Sequence, residues 1–511
     1  YDANGNLNWQ NNTFNNPLAT LEGKFKSLTY DLIANSLLSY EFIEGLVLKS
    51  SFGYSDLRHS EINSQPYTIY SPAYGLGSEA SIVFDNIVNR RSWIIEPQMS
   101  WNRKISHGKI DVLAGGTFQE QSSDQLVTMG SGFSSNSQMD NPGSAANYSV
   151  LSSNQTMYKY QAFFGRANFN WMERYVVNVT GRRDGSSRFG PGKQFATFGA
   201  VGAAWLFGNE ALIKNHVGFL SFGKFRGSYG TTGNDQIGDY QYLDTYTSSG
   251  NIYQGISGLS PSRLFNPNFG WETNTKLEFA VETGFFNDRI FTTFGWYRNR
   301  SSNQLVGTPL PGTTGFTSIQ SNLDARVQNT GIEITIRTVN ISHSAFSWVS
   351  SLNFTQAKNE LLSFPSLEGS PYRNQYVIGQ PLNITKVYHS IGLAPQTGVY
   401  QFEDVNGDGA ITAADDRKTI KNLNPQFYGG LQNQLHYGPV QLDFLFQFVK
   451  QENFNSTFMF GMPGTMSNQP TAVLDHWQEP GDTHPYQVYS SGVISAIQRA
   501  NTRHAQSDAG I

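Results

Sequence analysis

Along most of the chain, apolar residues return at every second position. Between Phe163 and Trp171, the residues Phe163, Gly165, Ala167, Phe169 and Trp171 fall on one face, and Arg166, Asn168 and Asn170 on the other. A period of two is that of a strand with one apolar side. After the break Met172-Glu173-Arg174, the alternation resumes with Tyr175, Val177 and Val179 against Asn178, Thr180 and Arg182, which predicts a hairpin. The pattern recurs at Leu46, Leu48, Phe52 and Tyr54, at Ile110, Val112, Ala114 and Phe118, at Leu277, Phe279 and Val281, and at Ile332, Ile334 and Ile336. It is clearest late in the chain, where Leu442, Phe444, Phe446 and Phe448 alternate with Gln441, Asp443 and Gln447. By this pattern the chain holds roughly 14 to 16 strands.

The breaks between strands come in two lengths. Those at Ile43 to Gly45, Ser106 to Gly108, Phe286 to Arg289 and Tyr437 to Pro439 are short. Those covering about Ser55 to Arg90, Glu120 to Lys159, Gly230 to Asn274, Arg300 to Val327 and Lys358 to Pro425 far exceed the usual ~4–6 residue connection. Long loops segregated to alternate connections are the habit of an outer-membrane β-barrel, with short turns at the periplasmic end and long loops outside. Its strands are ~9–11 residues, apolar toward lipid and polar toward the lumen. Tyr40, Phe42, Tyr175 and Tyr437, at strand ends, suit its aromatic girdle. The alternative is a large soluble all-β protein whose apolar faces meet in a dry core, and the rhythm of turns argues against it.

Composition narrows the picture. Charged residues are 14% of the chain, against ~25% in an ordinary soluble domain, so something other than charge covers much of the surface. Lys and Arg number 35 against 39 Asp and Glu, without the basic excess of a nucleic-acid binder. Cysteine is absent, which excludes disulfide scaffolds, thiolate metal sites and cysteine nucleophiles. A mean hydropathy of -0.40 and the lack of any ~18-residue apolar stretch exclude transmembrane helices. No linker divides the chain, and its first residue is Tyr1, without Met or a signal peptide. We therefore expect a fragment or processed chain.

Several segments resemble the SusC/RagA-type TonB-dependent outer-membrane transporters. The run GRANFNWMERYVVNVTGRRDGSSRFG, Gly165 to Gly190, is similar to that family's signature hairpin. Lys224 to Asn234 (KFRGSYGTTGN), with Ile237-Gly238-Asp239-Tyr240, resembles the strand and loop that follow, and Asn266 to Glu272 (NPNFGWE) resembles its NP-x-x-x-WE segment. Asn329 to Ile336, Val377 to Leu382, a segment at Asp404 and Leu474 to Asp482 continue in family order, and the likeness runs from Asn16-Pro17-Leu18 to Ser507–Ile511. The resemblance implies an all-β, 22-stranded transmembrane barrel with long extracellular loops, closed by an N-terminal plug, working with a SusD-like lipoprotein lid and energised by TonB. On that reading residues 1–511 are part of a single barrel domain, and the plug, the TonB box and the final strands lie outside the sequence. Some unpaired strand edge would otherwise face lipid, which is untenable.

One motif carries defined site chemistry. DVNGDGAITAAD, Asp404 to Asp415, has the spacing of a calcium loop, which takes oxygen ligands at positions 1, 3, 5, 7 and 12, with Gly at 6 for the turn. Asp404, Asn406 and Asp408 fill the first three, Ala410 offers its carbonyl, Gly409 makes the turn and Asp415 takes the last place. Ile411 is the apolar anchor, and Asp replaces Glu at position 12. We expect calcium here, pinning a long extracellular loop. The competing reading is an Asn/Gly-rich turn.

Other groupings have bland readings. Arg182, Arg183, Asp184 and Arg188 could contact substrate, but charges at a strand top are usually solvated or mutually paired. Tyr229, Tyr240, Tyr242, Tyr253 and Trp271, read as loop aromatics, could stack on sugars or simply pack loops together. His476, Asp482 and His484 lack metal-site spacing. Glu278 and Glu282 lie on polar strand faces, where a glycosidase pair has no further support. No H-E-x-x-H, G-x-S-x-G, phosphate-loop or dinucleotide signature occurs, so we expect no enzyme. The expectation is an outer-membrane importer of a Gram-negative cell. It would bring in a large nutrient, an oligosaccharide or a peptide, through TonB, in contact with outer-membrane lipid and with no nucleic acid. The alternative functions are a surface adhesin or glycan-binding barrel without transport, and a secreted β-rich glycosidase. The sequence leaves the substrate and its contact residues open.

Overall fold

The computed structural model describes every residue except 13–14, 456–462, 466–467 and 491–494. The chain first lays down β1 (Lys24–Ile43), β2 (Leu46–Gln65), β3 (Ile82–Ile105), β4 (Gly108–Ser131), β5 (Asn147–Trp171), β6 (Tyr175–Ser186), β7 (Phe195–Trp205) and β8 (Leu220–Asn234). A side hairpin of β9 (Thr245–Tyr253) and β10 (Ile256–Arg263) precedes β11 (Glu272–Phe285) and β12 (Ile290–Ser302). A second, β13 (Gln304–Pro309) with β14 (Ser318–Leu323), precedes β15 (Arg326–Ser342) and β16 (Phe346–Ser363). A long excursion holds β17 (Ile384–Val387), β18 (Ser390–Leu393), β19 (Tyr400–Phe402) and β20 (Thr419–Asn422) before β21 (Phe427–Tyr437) and β22 (Val440–Lys450). With the four excursion strands and the two side hairpins set apart, the other fourteen form one antiparallel sheet in chain order, within the range that the alternation predicts.

The short turns all lie at one end of this sheet, as expected. Residues 44–45, 106–107, 172–174, 286–289, 343–345 and 438–439 close six hairpins. Gly45 shows what such tightness demands: its φ is +83°, and a Cβ there would stand 2.3 Å from the Asn102 carbonyl oxygen. The seventh connection at this end, between β7 and β8, is longer and winds into α1 (Ala211–His216). Glu210 ties it down, accepting from the Tyr175 hydroxyl at 2.7 Å and the Trp205 indole N–H at 3.1 Å. Six residues offer too little periodicity for this helix to show in the sequence.

Residues opposite one another in an antiparallel pair share a face, so the ladder extends the apolar side from strand to strand. Phe279 stands opposite Trp296 on one side and Gly227 on the other, and Val281 opposite Phe294 and Phe225. Their exposure confirms that no core covers this face: Phe279 is 42% exposed, Phe294 47% and Val179 51%. It is the face for lipid, and Tyr40, Phe42, Tyr175 and Tyr437 border it at the short-turn end, all exposed.

Two expectations are corrected. The strands β1 to β5 run 20 to 25 residues rather than ~9–11, because beyond the hydrocarbon the ladder continues with polar and apolar residues mixed on both faces. Alternation fades there while hydrogen bonding does not, so the sequence reading truncated them. Tyr229 is likewise not in a loop. It lies in β8, opposite Leu277 and Val201, on the lipid face.

At the long-connection end the excursions build small cores of their own. Phe189, Phe198, Phe269 and Trp271 bury one another, and Tyr388, Tyr400, Phe402 and Ala500 form a second cluster. The two ends of the sheet, β1 and β22, are exposed along their whole length.

Candidate functional site

The calcium-like loop lies in the long excursion, between β19 and β20. Asp404 at its head folds the chain around its own carboxylate. Oδ1 accepts from the Gly407 and Asp408 amides at 2.8 and 3.3 Å, and Oδ2 from the Gly409 amide at 2.7 Å. Gly407 and Gly409 carry φ of +70° and +79°, which the tight path requires. Asn406 Oδ1 accepts from the Asp408 amide, Asp408 Oδ1 from the Ala410 amide, and Asp415 from the Thr412 hydroxyl. The donor set is right in kind and order for a hard cation, and the loop is already turned. The carboxylates, however, face these local donors, and among the described residues no three acidic or histidine side chains converge as metal ligands.

The sequence reading overlooked the residue that closes the loop. Asp416 is 1% exposed; its Oδ1 accepts from the Val405 amide at 2.8 Å and its Oδ2 from the Thr412 amide at 2.6 Å. A buried carboxylate persists only when paired or hydrogen-bonded, and here two backbone N–H groups serve. The only signal was a second Asp beside Asp415.

The closed loop docks against α2 (Ser495–Ala505). Arg503 donates to the Ile411 carbonyl at 2.6 Å, and Ile411 packs on the cluster that includes Ala500. On the same helix, His504 stacks flat on Tyr400 at 3.7 Å between centroids. Burial pushes the His504 imidazole down to about 4 and the Tyr400 phenol up to about 12. His389, by contrast, meets the Asp508 carboxylate at 2.6 Å, which raises its pKa.

On the polar face of β8 and β11 lies a ladder of charges. Arg226 reaches Glu278 at 2.5 Å and Glu282 at 2.9 Å, and Lys224 reaches Glu282 at 3.3 Å. Glu278 and Glu282 are thus salt-bridged partners of one guanidinium. The arginine cluster also proves mutually paired. Arg182 bonds Asp184 and the Tyr160 hydroxyl, while Arg188 bonds Asp239 and lies 4.2 Å over the Tyr158 ring. Arg183 points to the opposite face, over Phe195.

Among the expected aromatics, Trp271 is buried in its cluster and donates to the Gln194 carbonyl, and Tyr242 packs beside it. The Tyr240 hydroxyl accepts from the Met157 amide, and Tyr253 is 78% exposed on the β9–β10 hairpin. His476 stacks on Tyr489, Asp482 accepts from the Gln478 and Glu479 amides, and His484 meets Asp475, so the three share no centre.

The family described as TonB dependent receptor-like, beta-barrel matches residues 1–424. TonB-dependent receptor P3 of Formosa agariphila is 28% identical over 484 residues, 88% of this chain and 47% of that protein. TonB-dependent receptor SusC of Bacteroides thetaiotaomicron is 28% identical over 493 residues, 91% of this chain and 47% of that protein. The RagAB peptide transporter superposes with a TM-score of 0.82 at 22% identity, over 93% of this chain and 54% of that one. The chain spans about half the length of the curated relatives it matches.

Proposed function

Because the chain belongs to the TonB-dependent receptor-like β-barrel family, of the SusC/RagA type and seated in the Gram-negative outer membrane, we propose that the whole protein is an active importer of a large nutrient. The family is one of receptors and transporters, not of enzymes. One observation carries the reading. A single sheet turns an apolar face to lipid and a charged face to the lumen, with every excursion of more than fourteen residues at one end. Such an end can gather a large ligand from outside, and such a lumen can pass it by many weak polar contacts.

The nutrient is an oligosaccharide or a peptide, captured beneath a SusD-like lipoprotein lid and released inward by force from TonB. The RagAB peptide transporter, which shares the fold, supports the peptide choice. The test is to purify the full-length protein from outer membranes in mild detergent, and to follow uptake of labelled oligosaccharides and peptides. Copurification of a lipoprotein and uptake that ceases without TonB are expected. Recovery without a lipoprotein, or binding with no TonB-dependent uptake, would favour the adhesin reading.

Calcium in the Asp404 loop belongs to the same proposal. Asp404, Asn406, Asp408, the Ala410 carbonyl and Asp415 would hold it, and the ion would stiffen the excursion that docks on α2. Calcium titration of the full-length protein should show saturable binding that Asp408→Ala abolishes, and protection of the loop from proteolysis that a chelator removes. Equal proteolysis with and without the chelator would leave only the turn.

A further inference from the structure

The ladders of the main sheet are not equally strong. Eleven rungs join β6 to β7 and fourteen join β8 to β11, but six join β7 to β8. Among the described residues, no other ladder of that sheet has fewer than ten. Side chains add little across the six: Ala200 faces Gly230, Gly202 faces Ser228 and Ala203 faces Gly227. Backbone bonds and cross-strand side-chain pairs hold neighbouring strands together, so this seam is the weakest line in the wall. Charge does not make up the difference. β7 has no charged residue, while Arg226 braces β8 to β11 and Arg182 braces β6 to β5.

The two ends of the seam differ from their neighbours as well. At the short-turn end, residues 206–219 connect its strands, where the six hairpins use two to four residues. Toward the long connections, residues 195–199 and 231–234 part without a ladder pair, and the Gly199 amide donates to the Thr231 hydroxyl at 3.3 Å instead. The Phe198 ring fills this fork, 5.7 Å from the Trp271 ring and so close to Gly233 that a Cβ there would stand 2.2 Å from it. Polar contacts then latch the mouth of the fork. Arg188, just past β6, donates to the Asp239 carboxylate at 2.8 Å and to the Asp235 carbonyl at 3.0 Å. From β5, the Tyr158 hydroxyl donates to the Asp235 carboxylate at 2.8 Å. Asp235 and Asp239 lie on the chain that leaves β8, so each of these bonds crosses the seam.

We infer that the β7–β8 seam is a joint in the barrel wall, parting at its fork when the Arg188–Asp239 latch opens and so widening the mouth for a large nutrient. Strands β1 to β7 move as one panel, and β8 with the strands after it as the other. The six rungs stay paired and serve as the hinge, so no further backbone group is bared to lipid. The long connector below lets the short-turn end follow. The purpose of the motion rests on the import reading, but the motion itself does not.

The test uses the full-length protein in lipid nanodiscs, spin-labelled through pairs of introduced cysteines, since these 511 residues contain none. Gln155→Cys on β5 with Gln236→Cys beyond β8 spans the seam, and Gln236→Cys with Arg300→Cys on β12 lies within one panel. Arg188→Gln should spread the distances across the seam by about 5 Å, one strand spacing, and leave those within the panel unchanged. Tyr158→Phe removes a single hydroxyl and should act in the same direction, which keeps the test open if the first variant fails to assemble. Unchanged cross-seam distances in the assembled variants, or equal spreading of both label pairs, would overturn the joint. Its purpose is read in cells. A short reducible thiol cross-linker from Thr231→Cys to Thr197→Cys pins the fork, and should stop TonB-dependent uptake until it is reduced. The same link from Thr231→Cys to Thr275→Cys, its ladder partner on β11, should leave uptake intact. Uptake that continues with the fork pinned, or stops with either link, would rule out the widening. Absence of uptake in the unlinked protein would count against import, and the label distances would still decide the joint.

Discussion

At the scale of residues, the excursion beyond β16 depends on a few side chains whose burial leaves no slack. Gly398 has φ +62°, and a Cβ there would lie 2.2 Å from the Trp477 ring. Gly398→Ala should destabilise this subdomain by about 1–3 kcal/mol, read as faster hydrogen exchange over residues 384–423 with the strand ladder unchanged. His504 makes the same region sensitive to acid. Its folded pKa, about 4, lies below the ordinary 6.5, so protonation favours the opened form. The stability it gives is complete above about 6.5 and is lost as pH falls toward 4. The raised pKa of His389 acts with the opposite sign, adding stability at low pH that fades as pH rises through its folded value. Protection of α2 against hydrogen exchange, taken relative to the intrinsic rate at each pH, should therefore fall between pH 6.5 and 4, and His504→Phe, which keeps the stacking on Tyr400, should flatten that change.

Among the elements, hairpins were legible and their partners were not. In β6, Tyr175, Val177 and Val179 announced the apolar side by alternation, and the rhythm of turns around them assigned that side to lipid. Nothing in the sequence paired Arg226 with Glu278 and Glu282, since cross-strand register brings together residues more than fifty positions apart. Arg226→Met should cost about 1–3 kcal/mol, because Glu278 then loses its cation and Glu282 keeps only Lys224. A lower unfolding temperature of the detergent-solubilised protein, restored in part by adding Glu282→Gln, is the expected result. Trp271 binds the Gly190 turn to the start of β11 through Phe189 and Phe269. Trp271→Ala should cost about 3–5 kcal/mol and expose that turn to protease.

For the whole molecule, the open sheet sets the terms. Among the described residues β1 and β22 each present an unpaired edge, and unpaired backbone in hydrocarbon costs several kcal/mol for every group. The 511-residue chain produced alone should fail to give the compact, heat-modifiable band on SDS gels that is expected of the full-length protein. A heat-modifiable band from the short chain would show that fourteen strands can close on themselves.

The sequence by itself determined which residues of each strand share a face, through alternation, and that lipid covers the apolar one, through the rhythm of short and long breaks. It also marked the turn end, through the short breaks, and the loop from Asp404 to Asp415, through the spacing of its oxygens. Tertiary structure decided the rest. Where the ladder leaves the membrane both faces are wet, alternation loses its meaning, and only the partner strand shows how far β2 to β5 continue. Asp416 and His504 acquire their properties from burial by segments far away in sequence, and the Arg226 ladder of charges exists because register sets two strands side by side. Periodicity reports a residue's own environment, while a site is made of neighbours that only the fold supplies.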